Sequence, residues 1–209
     1  MAIDFNLYLI TDRKQTTRSL PEAVRLALQG GVRAIQLREK GLPVRGLLSL
    51  AQEIRKITRE FNAKFFVNDR VDVAVAVEAD GVHLGHESMP PEAVRRIVGK
   101  RLLIGVSTHN IKEAKAAETG GADFITFGPV FFTASKAPFG HPVGLDYLAD
   151  AKKSVGIPLF GLGGIKTDNA ARVLTYGADG VSMISEIFGS PDIEGAAQKV
   201  VSAISTPVR

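Results

Sequence analysis

The chain reads as a single-domain α/β protein, a (β/α)8 TIM barrel over residues 1–209, and three observations predict it. Short apolar runs alternate with stretches of helical periodicity eight times, the pattern of repeated βα units around a parallel sheet. No linker or shift of composition divides the units, which average about 26 residues each, short for a closed barrel. One junction also recurs: Gly30-Gly31-Val32-Arg33-Ala34-Ile35, Gly120-Gly121-Ala122-Asp123-Phe124-Ile125 and Tyr176-Gly177-Ala178-Asp179-Gly180-Val181. In each, glycine stops a helix, a tight turn follows, and an apolar strand begins. An open doubly wound sheet of similar length is the competing arrangement.

Residues 5–10 form the first strand, ended by Thr11-Asp12-Arg13. Ser19 caps the first helix, with Pro21 early and Glu22 at capping-box spacing. Strand 32–37 follows, and then a helix over 43–61, where Leu47, Leu48, Ala51, Ile54, Ile57 and Phe61 recur at three and four. Residues 65–67 are a strand closed by Asn68-Asp69-Arg70, and a helix of about seven residues comes next. Residues 81–85 carry the fourth strand into a polar loop, and Pro90-Pro91-Glu92 opens the fourth helix. Strand 102–106 runs into Ser107-Thr108-His109, and Asn110 caps a helix over 111–119. Strand 124–127 leads into a loop at 128–143, long enough to be functional. Helix 145–154, strand 157–160, the run Gly161-Leu162-Gly163-Gly164, a helix from Thr167, strand 180–183 and helix 192–204 complete the chain.

Composition narrows the function. The formal charge is +4, with no Lys/Arg block, three Tyr and no Trp, which argues against nucleic acid and suits a small anionic substrate. The absence of cysteine excludes disulfides, thiolate metal sites and thiol nucleophiles. No apolar run reaches membrane-span length, and the start lacks the cationic region of a secretory signal, so a cytoplasmic protein is expected. Oligomeric state leaves no mark in the sequence.

In a barrel the functional groups come from the loops after the strands. Polar, charged or glycine residues recur there: Arg38 and Lys40, Asn68 and Asp69, His86 to Ser88, Ser107, Thr133 to Lys136, Gly163 and Gly164, Ser182 and Ser185. Gln36, Arg38 and Lys40 share one face if the strand stays extended to Lys40, and two cations at a strand's carboxyl end suit an anion. The alternative is a strand ending at Leu37 and a solvated turn. Asp69 beside Asn68 suits Mg²⁺, or else caps the next helix as an Asx turn. The glycines after strand seven and the end of strand eight match the common phosphate position of such barrels. His83, His86, His109 and His141 show no metal-ligand spacing and read as loop or core residues. No Ser–His–Asp set is visible, so the chemistry rests on charge and positioning.

End to end the chain resembles the thiamine phosphate synthase and thiazole tautomerase family. The matching runs are Tyr8-Leu9-Ile10-Thr11-Asp12, Gln36-Leu37-Arg38-Glu39-Lys40, Val67-Asn68-Asp69, Gly81-Val82-His83-Leu84-Gly85, Ile104-Gly105-Val106-Ser107, Phe127-Gly128-Pro129-Val130-Phe131 and Gly177-Ala178-Asp179-Gly180-Val181-Ser182. The resemblance implies a transferase in thiamine biosynthesis that joins an aminopyrimidine-methyl diphosphate to a thiazole phosphate. It implies that Gln36, Leu37, Arg38, Glu39, Lys40, Asn68, Ser107 and Lys136 bind the pyrimidine diphosphate. Thr133, Ala134, Ser135, Gly164, Ile184 and Ser185 bind the thiazole phosphate, and Arg38, Ser107 and Lys136 act in catalysis. The resemblance also implies that Asp69 holds an Mg²⁺ cofactor. The chain departs from the pattern after strand four: where the family carries a second metal carboxylate, this chain has Ser88, a neutral and weaker Mg²⁺ ligand, and the neighbouring Glu87 is expected to reach the metal directly or through water in partial replacement. A smaller departure is the run Phe132-Thr133-Ala134-Ser135-Lys136, which keeps both hydroxyls and the cation. Because Asp69 and Pro129 are kept, the synthase branch is favoured over a tautomerase using His86 or His141, or a non-catalytic binder of thiamine precursors.

Overall fold

The computed structural model describes residues 3–133 and 141–205. Eight parallel strands close in chain order: β1 Leu7–Ile10, β2 Ala34–Leu37, β3 Lys64–Asn68, β4 Gly81–Leu84, β5 Leu103–Thr108, β6 Phe124–Phe127, β7 Leu159–Leu162 and β8 Gly180–Met183. Around them lie α1 Leu20–Gln29, α2 Val44–Glu60, α3 Val71–Ala76, α4 Pro91–Val98, α5 Ile111–Thr119, α6 Gly144–Ser154, α7 Thr167–Thr175, α8 Ser185–Phe188 and α9 Ile193–Ser205. No helix among the described residues is long and apolar enough to cross a membrane.

The strands are buried on both faces, and this is why they read as apolar runs rather than alternations. Outward side chains such as Leu9, Ile35, Val67, Val82 and Ile104 pack with helix residues including Val24, Ala27, Ile54 and Val173 in one large cluster. Inward side chains form a second, smaller cluster of Tyr8, Ile10, Ala34, Phe66, Leu103, Phe124 and Phe160. Four of its rings plug the barrel, with Tyr8–Phe66 and Tyr8–Phe124 centroids 5.2 and 5.3 Å apart, edge to face. Phe5 stacks beneath Tyr8 from the N-terminal side.

Such large rings fit only because neighbouring strands present no side chain at their level. A Cβ on Gly81 would lie 2.3 Å from the Phe66 ring, one on Gly105 2.4 Å from Phe124, and one on Gly180 2.4 Å from Phe160.

The repeated junction appears as expected: Gly31, Gly121 and Gly177 all take positive φ, of 102°, 87° and 96°. Ser19 and Asn110 cap α1 and α5 through bonds accepted from Glu22 N and Glu113 N. At the N-terminal rim the carboxylates of Asp80, Asp123 and Asp179 accept from Phe65 N, Ile104 N and Leu159 N at 2.9, 2.7 and 2.7 Å. Each pairs with a cation from a surrounding helix, Arg55, Arg95 or Lys152, at 2.6–2.8 Å. This rim is built for stability.

β2 ends at Leu37, the end of the expected strand 32–37, so Lys40 lies in a turn and the extension to Lys40 is not seen. Two other strand boundaries differ from the sequence reading in ways that bear on the site. β5 continues through Ser107 and Thr108, and β7 lies two residues later than expected, with Gly161 inside it. Gly161 does not end the strand; a Cβ there would meet Val173 at 2.6 Å, so its absence lets α7 pack closely. The one-turn 3-10 helix Arg13–Gln15 and α8 carry no sequence periodicity and were not anticipated.

Candidate active site

Above the aromatic plug, toward the C-terminal ends of the strands, inward positions turn polar. Gln36, His83, Ser107 and Thr126 arrive there from β2, β4, β5 and β6 by the two-residue period of each strand. They join in a chain of hydrogen bonds. Gln36 Nε2 donates to Tyr8 Oη at 3.2 Å, and Tyr8 Oη lies 3.4 Å from His83 Nδ1. His83 Nε2 lies 3.0 Å from Ser107 Oγ, and Thr126 Oγ1 donates to the same oxygen at 3.4 Å. Burial pushes the His83 ring down to about 3; Asp69 pulls the other way and Arg38 pushes it further down. The ring is therefore neutral at physiological pH, one nitrogen donating and the other accepting. Burial likewise drives the Tyr8 phenol well above its ordinary value, although its bond from Gln36 opposes this.

Around this floor stand the strand ends. Arg38 is half-buried, and its backbone N–H donates to Thr11 Oγ1 at 2.9 Å. Glu39 is buried and faces the β1 loop, where its carboxylate accepts from Thr11 Oγ1 at 2.7 Å and Arg13 N at 3.2 Å. Leu37 packs outward in the strand–helix layer. The side chains of Leu37 and Glu39, which the resemblance implies bind substrate, thus secure the end of β2 on the face away from Gln36. Lys40 is exposed.

Asn68 ends β3, and Asp69 follows with φ 60°, in the left-handed region. The Asp69 carboxylate accepts from Asn68 Nδ2 at 2.8 Å and from the Ser88 hydroxyl. Ser88 Oγ in turn accepts from Gly85 N at 2.6 Å. The Asx-cap alternative for Asp69 is not seen: Arg70 is the N-cap of α3 and makes no side-chain cap bond. Ser88 thus stands against the carboxylate, while Glu87 and His86 are exposed. Among the described residues no cluster of three or more His, Cys, Asp or Glu side chains could hold a metal alone. The donor set is one carboxylate beside one hydroxyl. That suits Mg²⁺, which takes oxygen ligands, keeps waters and is often completed by substrate phosphate oxygens.

On the opposite side, Gly163 and Gly164 take φ of 98° and 63°. A Cβ on Gly164 would lie 2.5 Å from Phe132 O, so the β7 loop and the segment before Thr133 touch backbone to backbone. Val130 N and Phe131 N donate to Leu162 O and Gly163 O at 2.8 and 3.0 Å. Glu186 of α8 accepts from Thr167 N and Oγ1 at 2.9 and 2.7 Å, tying the loops after β7 and β8 together around Ile184 and Ser185. Thr133 is half-buried; Ala134, Ser135 and Lys136 lie outside the described residues.

Sequence reasoning took His83 for a core or loop histidine and left Tyr8 without a role. Strand parity puts His83 on the same face as Gly81, but only the closed barrel brings Tyr8 to it, and no sequence signal marks that meeting.

A closed parallel barrel with polar groups, cations and a glycine turn gathered at the carboxyl ends of its strands belongs to the class of phosphate-handling (β/α)8 barrels. Residues 7–187 match the family model described as thiamine monophosphate synthase, and the chain belongs to that family. It is 46% identical over 202 residues to the thiamine-phosphate synthase of Moorella thermoacetica, covering 96% of each chain. It is 43% identical over 203 residues to that of Clostridium novyi, covering 97% of this chain and all of the relative. The solved thiamine phosphate pyrophosphorylase of Pyrococcus furiosus superposes with a TM-score of 0.89 at 42% identity, covering 96% of this chain and 95% of the other.

Proposed function

We propose that the chain is a transferase that makes thiamine phosphate from an aminopyrimidine-methyl diphosphate and a thiazole phosphate, releasing diphosphate. The observation that carries this is the arrangement of the mouth: a neutral polar floor from Gln36 to Ser107, with Arg38 and the Asn68–Asp69 pair at its edge. The floor suits a flat ring with nitrogen donors and acceptors, and the edge suits a diphosphate. On this reading Arg38, Lys40, Asn68 and Lys136 draw negative charge onto the leaving group, while Ser107 meets the ring. Gly164, Ile184 and Ser185, with Thr133 to Ser135, receive the thiazole phosphate.

Asp69 and Ser88 would hold Mg²⁺, and Glu87 adds negative charge to the same loop. When bound, the cation neutralises diphosphate charge. The chain's own part is to bind, orient and stabilise charge as it develops on the departing diphosphate.

The test is formation of thiamine phosphate from the two precursors, with Mg²⁺ and after chelation. Product that falls on chelation is expected. Interconversion of thiazole phosphate isomers without condensation would overturn the reading in favour of a tautomerase.

A further inference from the structure

We propose that Tyr8 and His83 are positioning residues that fix the hydrogen-bonding polarity of the pocket, so that Gln36 presents an acceptor and Ser107 a donor to the ligand ring.

The chain of bonds has two ends and can run in only one direction at a time. Gln36 donates through Nε2 to Tyr8 Oη, so the Tyr8 hydrogen is free to go to His83 Nδ1. A neutral imidazole that accepts at Nδ1 carries its hydrogen on Nε2. That hydrogen goes to Ser107 Oγ at 3.0 Å. Thr126 donates to the same oxygen. Ser107 then has both lone pairs engaged, and its own hydrogen is the one left for a ligand. At the other end one of the two Gln36 Nε2 hydrogens goes to Tyr8, which fixes the carboxamide with its nitrogen toward Tyr8 and leaves Oε1 to accept.

Packing holds the relay in place. Tyr8 and His83 are 0% and 2% exposed, and their rings lie 5.6 Å apart. A Cβ on Gly105 would come within 2.6 Å of His83 Nδ1, so the bare backbone there makes room for the ring. Neither residue needs to touch a ligand to act.

The consequence is specificity, and it rests on the aminopyrimidine reading above. An amine beside a ring nitrogen offers a donor and an acceptor, which match an acceptor and a donor in the site. The oxo analogue offers a carbonyl acceptor beside a ring N–H donor, and both contacts are then mismatched. Sites with buried, directed polar groups reject such analogues strongly.

Two experiments test the relay. In nitrogen NMR of histidine-labelled protein without substrates, His83 should show a protonated Nε2 and an unprotonated Nδ1. The opposite tautomer would overturn the proposal, since the chain would then run from Ser107 to Gln36. The second is a double-mutant cycle on kcat/KM. Tyr8→Phe keeps the ring and removes only the hydroxyl, and should lower kcat/KM about ten-fold, the worth of one ordinary hydrogen bond. It should also narrow the preference for the amino over the oxo pyrimidine. Added to Ser107→Ala, the same change should cost clearly less than it does alone, because the share that passes through Ser107 is already lost and only the share through Gln36 remains. Additive losses would mean that Tyr8 acts through packing, which overturns the relay. The tautomer is read without turnover, so an Nε2–H ring in a protein that makes no thiamine phosphate refutes the functional reading and leaves the relay standing.

Discussion

Replacing Ser88 by aspartate tests whether the loop after β4 is a cation site. Ser88 Oγ bonds to the Asp69 carboxylate and to Gly85 N, so a carboxylate at position 88 faces Asp69 directly. Two unit charges at about 4 Å repel by about 4 kcal/mol at an effective dielectric of about 20. Asp69 is exposed, and solvent and salt screen the pair, so the net cost is set at about 1 kcal/mol. Mg²⁺ reverses the sign of the effect. At ten times its dissociation constant a bound ion stabilises the fold by about 1.4 kcal/mol, enough to offset the repulsion. Ser88→Asp should therefore melt below the wild type in chelator and recover in millimolar Mg²⁺, with a larger magnesium-dependent shift than the wild type. Calorimetric titration with Mg²⁺ alone should show tighter binding in the variant. A variant that melts like the wild type in chelator, and whose melting ignores Mg²⁺, would refute the placement of Asp69 and Ser88 around a cation.

Three further outcomes are expected. Arg38→Ala should fold normally and lose at least ten-fold in kcat/KM for the pyrimidine diphosphate, one charge-assisted phosphate contact at about 1.5–3 kcal/mol; steady-state kinetics check it. His83 sits below its unfolded value, near 6.5, so below that pH the unfolded chain takes up a proton that the folded one refuses. The resulting stability is complete above about pH 6.5 and falls as pH drops toward about 3, with a limiting slope of about 1.4 kcal/mol per unit. Urea unfolding at several pH values above about 5, where carboxylates are still charged, should show this slope in the wild type and a flatter one in His83→Gln. Gly180→Ala forces a Cβ to 2.4 Å from Phe160 and 2.5 Å from Asn6 O, and should destabilise by about 3 kcal/mol in the same assay, the upper end for overpacking because one obstacle is backbone.

The architecture was legible because a doubly buried strand leaves a strong mark: Leu7 to Ile10 and Phe65 to Val67 are apolar at every position, and Phe124 to Phe127 at all but Thr126. Helix starts at Ser19 and Asn110 were legible because capping is local. Strand ends were less so. Gly161 and Ser107 look like terminators, yet one is a contact point for α7 and the other faces into the barrel, and both facts depend on residues far away in the chain. The roles of Asp80, Asp123 and Asp179 belong to the same class, since each serves the first N–H groups of a neighbouring strand. At the site, the residue types were readable but their directions were not. Tyr8 and His83 acquire meaning only when the closed barrel brings β1 and β4 across from each other.

The run Arg38-Glu39-Lys40 shows what that closure contributes. In an isolated peptide the acidic middle residue would lie between its two basic neighbours and weaken their pull on an anion. In the barrel, backbone alternation sends Glu39 to the outside, where the Thr11 hydroxyl and Arg13 N–H bond its carboxylate and the Arg13 guanidinium lies 3.9 Å away. Its charge is thereby met on the β1 side, and Arg38 keeps its positive field for the mouth. The same residue anchors the turn: Thr11 Oγ1 donates to Glu39 and accepts from Arg38 N, so the loop after β1 fixes where Arg38 leaves the strand. Removing the Glu39 carboxylate would thus loosen the position of the cation beside it even as it raised the net positive charge. A gain in charge with a loss in anion affinity is the signature that separates a positioned guanidinium from a merely basic surface.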